Sequence, residues 1–135
     1  MSYATAQALQ AAIYQQLTGD PAVSDLIGGA VYDALPQGGI PPLYVLLGDE
    51  TVKDASDNSG GGAWHRFVIS VVSDAAGFAA AKTAAGAVCD ALVSADLALS
   101  RGSLVTLTFL KARALRVGTG DARRIDLTFR ASVAD

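Results

Sequence analysis

One cysteine, one histidine and one glutamate are all that 135 residues contain of these types, and each scarcity closes a route. A lone thiol builds neither an internal disulfide nor a multi-cysteine zinc site, and Cys89 suits a reducing compartment. Catalysis needs converging titratable groups, and so thin an inventory supplies few. Charge is sparse at 17% with a net of −3, while 51% of residues are hydrophobic. That is too much apolar surface for a disordered chain, and the length suits one domain over residues 1–135. Long apolar runs are missing as well. Met1 to Gly19 is uncharged, but Gln7, Gln10, Gln15 and Gln16 interrupt it and no basic segment precedes it. It therefore reads as neither a membrane span nor a signal peptide, and the expectation is a soluble intracellular protein with no membrane partner.

What is present is ordered periodicity. Leu9, Ile13 and Leu17 recur at a four-residue step and predict a helix over Thr5 to Leu17. Asp20 as N-cap and Pro21 at the first helical position open a second, short helix through Val23 and Ile27. Ala30 to Asp33 predicts a short strand, then a proline-rich connection leads into a strand over Leu43 to Gly48. The polar run from Asp49 to Gly62 ends in three glycines and predicts a long loop, flexible over 51–62. Alternation returns from Trp64 to Ser73, with His65, Phe67, Ile69 and Val71 on one side. An alanine-rich stretch from Phe78 to Ala95 predicts the main helix. Leu104 to Arg113 and Arg124 to Val133 predict two more strands, joined by a turn at Gly118-Thr119-Gly120-Asp121. The order α-α-β-β-β-α-β-β implies an α+β fold: a single, mostly antiparallel sheet with an N-terminal helix and one long helix packed on it.

Candidate chemistry weighs lightly against structural readings. Cys89 and His65 form a nucleophile and base only if the main helix sets the thiol over the histidine, whereas a buried free cysteine ordinarily acts as a small hydrophobe. The acids Asp49, Glu50, Asp54 and Asp57 lack the ligand spacing and glycine of a calcium loop, so no metal site is expected. The triple glycine precedes a strand, not the helix a phosphate loop requires, so no cofactor is expected either.

Charge is unevenly placed along the chain. Residues 1–100 carry a balance of −7 and residues 101–135 a balance of +4. Lys111, Arg113, Arg116, Arg123 and Arg124 flank one hairpin without interleaved aromatics, which favours a solvated hairpin tip or a protein-facing surface over a nucleic-acid one. The candidate interface residues are therefore these five with Asp49, Glu50, Asp54, Asp57 and, as an aromatic anchor, Trp64.

Several short segments also recur in a familiar order. Gly29-Ala30-Val31-Tyr32-Asp33, Leu35-Pro36-Gln37-Gly38, Pro42-Leu43-Tyr44-Val45, Gly48-Asp49-Glu50, His65-Arg66-Phe67 and Leu104-Val105 follow an amino-terminal helix and flank an alanine-rich one. This arrangement resembles the tail-completion or tail-terminator proteins of long-tailed phages, prophages and gene transfer agents, with tyrosine one place later after proline than is usual there. The resemblance implies a non-enzymatic virion protein, made in the bacterial cytoplasm. It implies a homo-hexameric ring at the head-proximal end of a tail tube, which stops tube polymerisation and meets the head–tail connector. The partners implied are other copies of itself, the tail tube protein and the connector or adaptor, with DNA passing through the lumen without specific binding. Another neck subunit, or a module that contacts nucleic acid, are the alternatives.

Overall fold

A computed structural model describes residues 3–55, 60–93, 95–118 and 122–135. Helix α1 spans Ala6–Gly19 and buries the stripe of Leu9, Ile13 and Leu17 that its spacing requires. Asp20 then caps α2, Pro21–Ile27, accepting a hydrogen bond from the Val23 amide at 3.1 Å. Gly28 closes α2 at φ 63°, a left-handed conformation that suits glycine. The strands are β1 (Val31–Tyr32), β2 (Leu43–Asp54), β3 (Gly62–Ser73), β4 (Ser103–Arg116) and β5 (Arg123–Ala134), and α3 (Ala79–Val93) lies between β3 and β4.

These strands form one sheet in the order β1-β2-β3-β5-β4. Only the short β1–β2 pair is parallel; β2–β3, β3–β5 and β5–β4 are antiparallel. The α+β architecture and element order expected from the sequence are those observed. The helices gather on one face. Ile125, Leu127, Phe129, Ala131 and Val133 of β5 are all buried there, as are Phe67, Ile69 and Val71 of β3. Each large side chain taken fully out of water contributes roughly 1.5–3 kcal/mol. At its centre Phe129 lies between Phe67 (ring centroids 5.6 Å) and Phe109 (5.9 Å, edge-on). Small residues let α3 approach closely, burying Ala81, Ala84, Ala85 and Ala91, and Gln16 Nε2 ties α1 to it by donating to the Ala91 carbonyl at 2.9 Å.

The expected loop over 51–62 is shorter than its composition suggested. Thr51 to Asp54 complete β2 and pair with β3, Gly62 opens β3, and the Ala55 amide bonds to the Gly62 carbonyl at 2.9 Å. Beyond a bulge at Gly48-Asp49 this end of β2 is largely exposed, so its side chains need not be apolar. Asp57 lies outside the described residues, as do Thr119 to Asp121 of the expected β4–β5 turn. Gly102, at φ +74°, has a structural duty: a Cβ there would sit 2.6 Å from the Ala134 carbonyl oxygen.

Candidate interface surfaces

The sheet face turned away from the helices follows directly from strand alternation and register. Trp64 faces Ser132, Arg66 faces Arg130, Ser70 faces Asp126 and Val72 faces Arg124 across β3 and β5. Thr108 and Arg130, Lys111 and Thr128, and Arg113 and Asp126 continue these rows into β4, while Lys53 extends one into β2. This face thus collects Lys53, Arg66, Lys111, Arg113, Arg124 and Arg130. Asp126 is the one carboxylate at its register-paired positions, although the chain as a whole is acidic.

Asp126 is already engaged. Arg124 donates to both its oxygens, at 2.8 and 3.0 Å, and the Ser70 hydroxyl donates at 2.7 Å. Burial alone would raise the Asp126 carboxyl, but the bonds from Arg124 and Ser70 and the charge of Arg113 outweigh it and hold it below the usual range. The Arg124 guanidinium is raised chiefly by its hydrogen bonds to Asp126, with Asp49 adding its charge nearby. Arg66 and Arg130 stand directly opposite one another, an unfavourable like-charge pairing. Arg130 turns over the Trp64 ring, 4.6 Å from its centroid, which relieves part of that cost.

The residues singled out in the sequence separate into groups. Lys111, Arg113 and Arg116 are exposed on β4, and Asp49, Asp54 and Trp64 are exposed around β2 and β3. Glu50 is turned inward: Tyr3 Oη donates to it at 2.8 Å, and His65 Nδ1 lies 3.2 Å from its other oxygen. A carboxylate only accepts, so Nδ1 is the donor in this contact, while the Thr5 hydroxyl lies 3.4 Å from Nε2. Thr5 faces this buried imidazole and makes no side-chain cap at the start of α1. The Glu50 carboxylate in turn pushes the Tyr3 phenol up.

Arg123 is a correction to the basic hairpin surface, because it is 8% exposed and its guanidinium lies over the Phe78 ring at 5.4 Å. Alternation sets it on the same side as Ile125, where its long stem packs and the aromatic face accommodates the charge. Arg66, Arg130 and Lys53 were missed as a group. Alternation marks Arg66 and Arg130 as outward, but the register that places them side by side involves strands separated by about half the chain.

The Cys89–His65 pairing does not form. His65 is fully buried against Thr5 and Glu50, whereas half-buried Cys89 lines an open groove between α3 and β4. Burial, and then the charge of Asp90, push the Cys89 thiol up, the opposite of what a nucleophilic thiolate needs. Among the described residues no cluster of three or more His, Cys, Asp or Glu is arranged to hold a metal.

The model of one family, tail completion protein gp17, matches residues 11–134. A solved chain from the virion of a native gene transfer agent particle is similar over 99% of this chain and 100% of its own length. Its sequence identity is 63% and its TM-score 0.94. Comparison with curated proteins finds no match.

Proposed function

The chain belongs to the tail completion protein family, and we propose that within a phage-type tail it forms the ring that ends the tube and joins it to the head. It is a structural protein of a phage-like tail, from a family of virion proteins rather than enzymes. The observation that carries the finer reading is the near-complete likeness to a chain of a gene transfer agent virion. Termination, a six-membered ring, and the tube and connector as partners are the proposal.

The charge layout supports such a role. Residues 1–52 contain no lysine or arginine and carry Asp20, Asp25, Asp33, Asp49 and Glu50, whereas β4 carries Lys111, Arg113 and Arg116 and no acid. Copies set with one region's surface acids against the basic β4 of the next gain attraction in one orientation only. Each exposed pair contributes on the order of 0.2–1 kcal/mol, so the effect is one of register and repetition rather than strength. Like-charged faces brought together would repel, which disfavours reversed stacking. DNA would pass through the lumen without specific contacts.

Deleting the gene from the producing strain tests this reading. Overlong tubes unattached to heads, restored to normal by the gene supplied in trans, are the expected result. Tubes of normal length joined to heads would overturn it, and tubes of normal length lacking heads would move the protein to another level of the neck.

A further inference from the structure

The two edges of the sheet match one another. At one edge the 33–42 loop joins β1 to β2, with Leu35 42% and Ile40 46% exposed. Pro36, Pro41 and Pro42 stiffen that loop, so little conformational freedom would be lost if a partner took it up. At the opposite edge lies β4, over which the helical layer stops short: the helix-side residues Phe109, Ala112 and Ala114 are exposed. With Gly86 and Cys89 of α3 they line an open groove of about 280 Å³. An apolar knob and an apolar groove therefore project from opposite edges of one molecule.

The charges beside them are unlike. Exposed Asp33 accompanies the loop edge, in a stretch of sequence, residues 1–52, without a lysine or arginine, while exposed Lys82 lines the groove and exposed Arg116 stands on the same side of β4, with Lys111 and Arg113 on the other face of that strand. Exposed apolar groups of this kind are stabilised when covered, and charge complementarity selects a second copy of this chain as the cover. Contacts that use two different patches on each copy run head to tail, and they form a closed ring when the rotation per copy closes.

We infer that the α3–β4 groove of each copy receives the Leu35 to Ile40 loop of its neighbour, as the repeated contact of the ring. This rests on the ring reading above and specifies the surfaces that make it. Both ends of the contact are exposed in the single chain, so each can be altered without touching the core.

Two variants test the assignment: Ile40→Asp spoils the knob and Ala112→Trp fills the groove. Each alone should remain monomeric in sedimentation under conditions where the wild type assembles, with an unchanged circular dichroism spectrum. Mixed in equal amounts they should form heterodimers and nothing larger, because the intact groove of the first accepts the intact loop of the second while the remaining edges are both blocked. Full rings from either variant, or a folded mixture that stays monomeric, would overturn the inference. Where the wild type assembles only on tail tubes, Ile40→Cys treated there with a short bismaleimide should give a ladder of copies joined to the native Cys89, lost in Ile40→Cys/Cys89→Ala. Rings without that ladder would overturn the inference and leave the ring reading standing, and a wild type that assembles nowhere would overturn both.

Discussion

Phe129 and Phe109 touch edge-on in one cluster of rings, yet truncating them should have opposite consequences. Phe129 is fully buried and contacts both Phe67 and Phe109. Phe129→Ala leaves a cavity in the core, for which about 3–5 kcal/mol is the usual loss, and the two aromatic contacts set it toward the upper end. Against a total stability of roughly 5–15 kcal/mol, this approaches unfolding. Phe109 is 43% exposed at the rim of the groove, so Phe109→Ala forfeits only part of the burial, about 1.5–2.5 kcal/mol, and the chain should stay folded. Its effect belongs to assembly. Urea unfolding of both variants gives the stability losses, and sedimentation of the folded Phe109→Ala chain gives its state of association. A large loss for Phe129→Ala, and a small loss with defective assembly for Phe109→Ala, are predicted. Equal stability losses, or normal rings from Phe109→Ala, would refute the division between core and contact surface.

Reversing Lys111 and Arg116 to Glu should leave stability within about 0.5 kcal/mol, as for other exposed sites, yet weaken assembly most at low salt; sedimentation across salt concentrations checks it. Arg123→Glu, by contrast, puts a carboxylate against the Phe78 ring in a buried site and should lower the urea midpoint markedly, a loss that exposed Lys111→Glu alone should not match. Asp126 and Asp135 both titrate below the usual carboxyl range, Asp126 because the bonds from Arg124 and Ser70 overcome burial and Asp135 chiefly through its bond from Arg101. Their stabilisation is complete above the unfolded carboxyl value of about 3.9 and is lost as pH falls through the lower folded values, so urea midpoints should drop below about pH 4, and less steeply in Asp126→Asn. Cys89→Ala should cost about 1 kcal/mol or less and leave the chain folded, since the half-buried thiol is raised and packs as a small apolar group; a urea midpoint lowered by several times that amount would contradict this role.

The parts of the fold governed by local pattern were legible in the sequence. Five alternating inward residues define β5, and Asp20-Pro21 marks the start of α2, because burial period and cap chemistry act within a few residues. Position within the sheet was not legible. The polar run from Thr51 to Asp54 looked like a loop because its partner is a strand on the far side of a glycine-rich stretch, and pairing supplies what its composition does not. Glu50 looked like a surface acid until that pairing set Val52 opposite His65 and brought the carboxylate to the imidazole. Charge misled at Arg123, where alternation already indicated the inner side. The candidate surfaces share this pattern. The basic residues of β4 stand out in the sequence, but the row of Arg66 beside Arg130 and the groove under Phe109 exist only once β5 lies between β3 and β4.

The most direct test of the central claim is to add the purified chain, carrying a gold-binding tag, to growing tail tubes and to image them by electron microscopy. Label is expected at one end of each tube, the end that meets the head, with six-fold density in averaged end views and tubes that cease to lengthen once labelled. Label scattered along the tube walls, or labelled tubes that continue to grow at the unlabelled rate, would contradict it.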